Sequence, residues 1–244
     1  MSLYFRPIPK LTIAALLMFA ALMALGIWQI QRLHWKLNLI ATVNRNLAAP
    51  PLTLAEALKL GPEGARYHRV TLAGHFDNGH ETYVFTTGPD GKPVYHVLTP
   101  LILDSGKALM IDRGIVPLEL KAPQKRPQGE LTGPQHVTGV WRLPDSPGLF
   151  TPSPDLKARV WYARDVTAMA KRDGLTLAAP AVIEAGPARN PGGWPKGGQT
   201  VVHFRNEHLQ YAIIWFALAA GLVLVYLAYH RAQGRLGFRQ GSHE

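Results

Sequence analysis

The chain has 244 residues, with 26 Lys and Arg against 16 Asp and Glu, and it contains no Cys. The length suits one ordinary domain with appendages, and the lack of Cys excludes disulfides, thiolate metal sites and Cys nucleophiles. The basic surplus is mild over the middle of the chain and has no nucleic-acid-binding motif beside it, so attraction to a lipid bilayer explains it better than binding to nucleic acid.

Two uncharged apolar blocks predict two transmembrane helices, over residues 11–30 and 211–229. At about 1.5 Å per residue, some 20 helical residues cross the ~30 Å hydrocarbon core of a bilayer. The first block is longer than the apolar part of a signal peptide and offers no clear small-residue cleavage site. We therefore interpret it as an anchor.

The two spans divide the rest of the chain into tails at residues 1–10 and 230–244 and a large segment at residues 31–210. Cations beside the spans in both tails favour cytoplasmic termini and an extracytoplasmic large segment. The N-terminal tail is too short for a transit peptide, which favours a bacterial inner membrane with the large segment in the periplasm. The predicted fold class is thus a membrane protein with two transmembrane helices flanking a mainly antiparallel-β (α+β) domain.

Local signals place helices at the start of this domain. Helical character continues past the first span to Leu47. Thr53-x-x-Glu56 is typical of a capping box that opens a short helix, which is expected to run to Lys59 and to end before Gly61-Pro62.

Strand signals follow. Residues 77–79 (Asp-Asn-Gly) predict a tight hairpin between strands at 66–76 and 80–87, because Asn-Gly accepts positive φ at low cost. Turns at Asp90-Gly91 and Ser105-Gly106 predict the next strands. The later expected elements are strands at 94–103, 107–116, 136–143, 160–163, 181–185 and 200–204, a helix capped by Asp165, and loops at 117–134, 144–154 and 186–198. The basic run Lys121–Arg126 is interpreted as a solvated loop.

Motifs of catalysis are missing. No Ser lies in a GxSxG or SxxK setting, His80-Glu81 lacks the second His of HExxH, and no Gly-rich phosphate loop opens a helix. His75 and His80 bracket the predicted turn and are interpreted as exposed turn residues rather than a metal pair. We therefore expect a protein that is not an enzyme.

Aromatic and basic residues gather where the predicted spans meet the aqueous phase. At about 100° per residue, one face of the first helix carries Trp28, Arg32, Trp35 and Lys36. One face of the second helix carries His208, Tyr211 and Trp215. One interpretation is an aromatic belt with snorkelling cations.

His208 allows a second interpretation. Asn206 is predicted to cap the second helix, which puts the imidazole beside the positive end of the helix dipole and favours a neutral nitrogen available to a metal centre. With Arg205, Arg32 and Lys36 near the interface, this position suits an amphipathic macrocycle such as haem, whose propionates would meet the cations. The alternative is an interfacial His satisfied by water or lipid.

Five motifs, in order along nearly the whole chain, resemble those of the surfeit locus one family. They are Gly26-Ile27-Trp28-Gln29-x-x-Arg32-x-x-Trp35-Lys36-x-x-Leu39-Ile40, Arg69-Val70-x-Leu72-x-Gly74-x-Phe76, Arg113-Gly114-x-Val116-Pro117, Gly197-Gly198-Gln199-Thr200 and Asn206-Glu207-His208-Leu209-Gln210-Tyr211. The chain departs from the family pattern at Ile214, where Thr is usual, at Ile115, where an aromatic is usual, and at Asp112, where Asn is usual.

The resemblance implies a non-enzymatic membrane protein that assists the assembly of haem–copper cytochrome c oxidase. It implies a role as haem a is delivered to, or retained by, oxidase subunit I, with haem a bound transiently and His208 as the iron ligand. Subunit I and haem a synthase are the implied protein partners. The alternative is a membrane scaffold that stabilises nascent subunit I without binding haem.

Overall fold

The computed structural model describes residues 2–200, 204 and 206–239. The chain forms two compact units: a helical unit of residues 1–42 and 203–244, and a sheet unit of residues 43–202. In chain order, the strands and helices of the described residues are β1 (Ser2–Phe5), α1 (Pro9–Ala48), β2 (Leu52–Thr53), α2 (Leu54–Gly64), β3 (Arg69–Phe76), β4 (Thr82–Thr87), β5 (Pro93–Ile102), β6 (Ala108–Pro117), β7 (Pro134–Arg142), β8 (Val160–Trp161), α3 (Val166–Arg172), β9 (Leu177–Ala185), α4 (His208–Ala232) and β10 (Leu236–Arg239).

Helices α1 and α4 are each long and apolar enough to cross a membrane, by length and composition. With 25 residues, α4 is about 37 Å long, close to the ~30 Å hydrocarbon core. With 40 residues, α1 is about 60 Å long and continues well beyond one span, which confirms the predicted helical extension to Leu47.

The two ends of the chain pair with each other beside the helices, a feature without a local sequence signal. Strands β1 and β10 are antiparallel, with Tyr4 opposite Gly237. Next to them the buried His230 donates from Nδ1 to the Tyr226 carbonyl at 2.9 Å and accepts at Nε2 from the Ile8 amide at 3.3 Å. Both ring nitrogens of this buried imidazole are therefore satisfied.

The sheet unit is a mainly antiparallel sheet that includes a small barrel, as predicted. Its strand order is β2-β3-β7-β9-β6-β5-β4-β8, and β3 also pairs with β5. That extra pairing joins His75 to Ile102 and Phe76 to Leu101, and it closes β3, β7, β9, β6 and β5 into the barrel. The pairs β2–β3, β4–β8 and β6–β9 are parallel.

Barrel closure depends on a close backbone approach at Gly74. A Cβ atom on this residue would lie 2.4 Å from the Ile102 carbonyl oxygen, so any side chain would push β3 away from β5. The motif Gly in β3 is therefore explained by packing of one strand against another.

Apolar side chains fill the barrel and the space beneath α3. Trp141 of β7 is fully buried among Leu101, Leu109 and Ile183. A second cluster joins Met110 to residues of α3. Strand β6 is buried along most of its length because the barrel interior covers one face and neighbouring elements cover the other.

The local signals for the starts of α2 and α3 were accurate. Thr53 and Glu56 form the predicted capping box, with the Thr53 amide donating to Glu56 Oε2 at 2.8 Å and the Glu56 amide donating to Thr53 Oγ1 at 3.3 Å. The helix was expected to end before Gly61-Pro62, but α2 continues to Gly64 through a kink at Gly61, whose φ is 74°. Asp165 caps α3 by accepting the Ala168 amide at 3.0 Å.

The predicted hairpin at residues 77–79 is wrong. Asn78–His80 form one 3-10 turn, Gly79 does not adopt positive φ, and β3 and β4 do not pair with each other. The ten-residue β5 explains the difference, because it pairs with β4 along its first part and with β3 at its end. The chain between β3 and β4 thus runs alongside β5, where the Asp77 amide donates to the Pro100 carbonyl at 2.9 Å.

The interpretation of Lys121–Arg126 as a solvated loop is wrong at Arg126. The segment winds through short 3-10 turns that carry the Arg126 side chain into the protein, where it forms a buried ion pair with Glu81. Its Nη1 also donates to Glu130 at 2.7 Å. Glu81 is itself buried and requires a counter-charge, which explains why a nominally polar loop supplies one.

Several predicted strands differ in extent: the strand expected at 181–185 begins earlier, at Leu177, and the strand expected at 66–76 begins later, at Arg69. The strand expected at 160–163 is limited to the two residues of β8. Most of the strand expected at 200–204 lies outside the described residues.

Candidate functional site

The candidate site in the helical unit centres on the first residue of α4. His208 Nδ1 and the Gln29 Oε1 of α1 form a 2.8 Å hydrogen bond. A carboxamide oxygen can only accept, so the imidazole carries a proton on Nδ1, and in the neutral ring Nε2 then presents a lone pair. Within the part of the chain that the structure describes, no side chain or backbone group binds Nε2.

Close packing of the two helices holds this pair in place. Gly26 lies against Phe216 of α4, where an added Cβ would come within 2.5 Å of a ring carbon. Ala212 and Ala219 are buried on the same side of α4, and Gln29 is buried on α1. Small residues allow the backbones to approach until Gln29 reaches His208.

The second-helix residues predicted with His208 lie on its face. Trp215 is half-buried, and its indole Nε1 is buried without a hydrogen-bond partner among the described residues. Tyr211 is exposed, one turn from His208. At about 100° per residue, the helical spacing puts both aromatic residues on the side of α4 that carries His208.

The first-helix residues predicted for the site make different contacts. Trp28 and Trp35 are about half-exposed, at 49% and 51%, and the Arg32 guanidinium lies 4.5 Å from the Trp35 ring centroid. Gln29 lies next to this face and contacts α4. The structure therefore brings Arg32 and Trp35 together and, in the described residues, gives none of these three a contact with His208.

Lys36 takes a different position. Its Nζ lies 5.0 Å from the ring centroid of Phe204, a residue just before α4. The predicted cation Arg205 lies outside the described residues, as does His203.

The predicted Asn206 cap is wrong. Glu207 occupies the N-cap position of α4 without a side-chain cap hydrogen bond, and Asn206 Oδ1 is buried without a partner in the described ranges. His208 still lies in the first turn of the helix. Its orientation, however, is set by Gln29 on the other helix rather than by a local cap.

Gln29 is the residue that the sequence reasoning missed. It was part of the first motif but received no role. The available signal was a polar amide within an otherwise apolar predicted span, because such residues usually bind a partner or mark a site.

The remaining motif residues belong to the sheet unit. Gly114 has a φ of 112°, and a Cβ there would lie 1.9 Å from the Lys196 carbonyl oxygen and 2.2 Å from its carbonyl carbon. The strand β6 and the segment around Gly197 are thus in backbone contact, with the Ile115 amide donating to the Lys196 carbonyl at 3.0 Å. The motifs around Gly114 and Gly197 are therefore explained by the packing of β6 against the segment around Gly197.

A polar cluster lies beside this edge. His96 Nδ1 of β5 is 2.8 Å from Asp112 Oδ2 of β6, and Asp112 Oδ1 accepts the Gly114 amide at 3.0 Å. Burial of the imidazole lowers the pKa of His96, but the hydrogen bond and negative charge of Asp112 outweigh this effect and raise the pKa above its ordinary value. Across residues 2–200, 204 and 206–239, no three His, Asp or Glu side chains are grouped to hold a metal ion.

Comparison with known proteins agrees with the family resemblance. The SURF1 family matches residues 16–220 of this chain. Surfeit locus protein 1 of Rattus norvegicus is 36% identical over 217 residues, which cover 82% of this chain and 69% of the rat protein. The Takifugu rubripes protein of the same name is 32% identical over 87% of this chain and 94% of its own length. The Homo sapiens protein is 33% identical over 80% of this chain and 69% of its own length. The chain belongs to the SURF1 family.

Proposed function

We propose that the protein assists the assembly of haem–copper cytochrome c oxidase by holding haem a for oxidase subunit I, with His208 as the iron ligand. Membership of the SURF1 family implies oxidase assembly in general. The more specific role with haem a rests on the site at the start of α4.

The hydrogen bond from His208 to Gln29 is the observation that carries the proposal. A metal-binding His commonly donates its second ring N–H to an oxygen, which fixes the tautomer and orients the nitrogen that binds the metal. Gln29 Oε1 accepts from His208 Nδ1 at 2.8 Å and leaves Nε2 for a ligand. The donor set therefore fits a haem, whose iron His208 Nε2 would bind.

The surroundings of His208 also suit this group. When bound, haem a supplies a redox-active iron within a large apolar ring that carries two carboxylates. Tyr211 and Trp215 would contact the ring, and Lys36 would attract a carboxylate. We propose Arg205 for the same role as Lys36, and Trp28, Arg32 and Trp35 as a second surface that meets either the ring or the bilayer interface.

We further propose that subunit I and haem a synthase are partners, and that the protein performs no catalysis and binds no nucleic acid. A bacterial inner membrane with both termini cytoplasmic is the proposed location. This orientation is supported by Arg6 and Lys10 at the start of α1 and by Arg231 and Arg235 at the end of α4.

The central experiment measures the pigment of the full-length protein. Protein purified in detergent from cells that make haem a should show a haem a spectrum that survives detergent exchange. His208→Ala should remove the haem or shift the spectrum, whereas His34→Ala, which alters an exposed His on α1, should leave both unchanged. Haem content and spectrum of His208→Ala equal to the wild type would overturn the ligand assignment.

The scaffold alternative makes a different prediction. If the protein stabilises subunit I without haem, it should co-purify with subunit I from cells that lack haem a synthesis, and the wild type should carry no pigment. Haem-dependent co-purification would support the proposed role instead.

The orientation can be tested on spheroplasts. The irregular segment 144–154 carries Leu149 and Phe150, each 93% exposed, and should be cut by external chymotrypsin while both tails stay protected. Cleavage of the tails with protection of Phe150 would reverse the proposed topology.

A further inference from the structure

A cavity lies in the sheet unit, lined by residues that the proposed function does not use. It has a volume of about 160 Å³ and is bounded by Phe76 at the end of β3, by residues 135–138 of β7 and by residues 185–191 after β9. A volume of this size holds about five waters, or one phosphate or carboxylate group.

The charged groups lining the cavity are basic. They are Arg113 and Arg189, with the ionisable His136 beside them, and no carboxylate is among the described lining residues. Arg189 and His136 are exposed, so their side chains are free to reach an incoming ligand. In the described part of the chain, Arg189 forms no ion pair.

Arg113 is the unusual member of this group. Its side chain is only 2% exposed, its Nη2 donates to the Gly129 carbonyl, and its guanidinium carbon lies 4.6 Å from the Phe76 ring centroid. Its Nη1 is buried without a hydrogen-bond partner among the described residues. An Arg remains charged even when buried, and among the described residues no carboxylate forms an ion pair with this one.

The nearest acidic side chains are already occupied. Glu81 and Glu130 act on the charge of Arg113 from a distance, but both are hydrogen-bonded to Arg126. Burial lowers the pKa of Arg113 more than these two carboxylates raise it. The positive charge of Arg113 is therefore only partly compensated from within the protein.

We infer that this cavity is a binding site for a single oxyanion group, a phosphate or a carboxylate. Arg189 would form the direct contact with the anion. Arg113 would attract the anion from the cavity wall, and a small rotation of its guanidinium about the hydrogen bond to Gly129 would bring Nη1 to it. The planar guanidinium matches the oxygen pair of such an anion, and low exposure strengthens the attraction. The site explains why an Arg stands before Gly114 in a motif whose Gly serves backbone packing.

The test is isothermal titration calorimetry of the full-length protein in detergent, with inorganic phosphate as the probe at fixed chloride concentration. Wild-type protein should give saturable binding. Arg189→Gln should weaken it by about tenfold or more, because a hydrogen bond between two charged groups is lost. Lys107→Gln, which removes an exposed cation from the β5–β6 turn, is the matched control and should bind phosphate like the wild type.

Two further arms identify the source of the anion. Tighter binding of glycerol 3-phosphate than of phosphate would assign the site to a lipid head group, and tighter binding of acetate would assign it to a carboxylate. Arg113→Lys, which keeps the charge in the wall, should retain more affinity than Arg113→Met, with folding of each variant checked by circular dichroism. Absence of saturable binding for all three anions, or equal binding by wild type and Arg189→Gln, would overturn the inference. Neither result bears on the haem spectrum, so this proposal and the proposed function can fail independently.

Discussion

Gln29 and His208 lie 179 positions apart in the chain, and their side chains are joined by a 2.8 Å hydrogen bond. Each comes from a different apolar helix of the helical unit. The bond gives the His a defined tautomer and a fixed ring orientation. The bond satisfies the buried amide oxygen of Gln29, and the orientation it gives the imidazole is the one that the proposed metal ligand would need.

Replacing Gln29 should therefore affect haem binding before it affects folding. Gln29→Leu keeps the volume of the side chain and removes the acceptor, and we expect roughly 10–100-fold weaker haem retention, as for other partners of metal-bound His. Haem titration followed by absorbance would measure this. Gln31→Leu, an exposed amide two residues away, is the control. Equal retention by the two variants would show that the Gln29 contact is merely structural.

The buried pair of Arg126 and Glu81 should be essential for the stability of the sheet unit. Arg126→Met leaves Glu81 charged and buried, and we expect a loss of roughly 3–5 kcal/mol in the free energy of unfolding. The double variant Arg126→Met with Glu81→Gln removes both charges and should lose less free energy of unfolding than Arg126→Met alone. Chemical denaturation would measure each value.

An exposed pair provides the comparison. Lys92 and Asp90 lie 3.8 Å apart with both side chains largely in solvent. Lys92→Met should change the free energy of unfolding by no more than ~1 kcal/mol. Similar losses for Lys92→Met and Arg126→Met would contradict the proposed importance of burial.

The contact of His96 with Asp112 predicts a pH-dependent stability. Burial lowers the pKa of His96, but the hydrogen bond and charge of Asp112 outweigh it and raise this pKa above that of the unfolded chain. Of the more distant charges, Arg164 lowers the pKa and Glu184 raises it. The folded protein then binds the proton more tightly, so the stabilisation is complete below the unfolded pKa of about 6.5 and is lost as pH rises through the folded pKa. Unfolding midpoints measured from pH 5 to pH 9 should show this decline, and His96→Gln should flatten it. A wild-type profile that rises across this range would rule out the assigned direction.

Two glycines near the barrel closure should respond differently to a methyl group. Gly74→Ala places Cβ 2.4 Å from the Ile102 carbonyl oxygen and should cost roughly 1–3 kcal/mol through overpacking. Gly79→Ala meets only the end of the Asp77 side chain at 3.5 Å and needs no positive φ, so it should be close to neutral. Thermal unfolding midpoints compare the two. A large fall in the unfolding midpoint for Gly79→Ala would instead support the tight hairpin that the sequence pattern predicted.

Features set by neighbouring residues were accessible from the sequence alone. The apolar lengths of α1 and α4, the capping box at Thr53 and Glu56 and the cap at Asp165 each depend on a few consecutive residues. Their physical cause is local, since a helix needs length, composition and a satisfied first turn. The ordered motifs were likewise sufficient to identify the family before any contact was known.

Features that depend on competition between distant segments were decided by the tertiary structure. Asn78-Gly79 carries a strong hairpin signal, yet β5 offers β3 and β4 better partners, so the turn takes another form. Arg126 is buried because Glu81, 45 positions away, needs its charge. Gln29 shows the same effect at the candidate site: its amide is one polar residue in an apolar span until helix packing brings it to His208. The sequence determined which elements form, and the packing of those elements decided which polar groups meet. The physical reason is that a buried polar atom without a partner destabilises the fold, and only a specific neighbour can offset that loss of free energy.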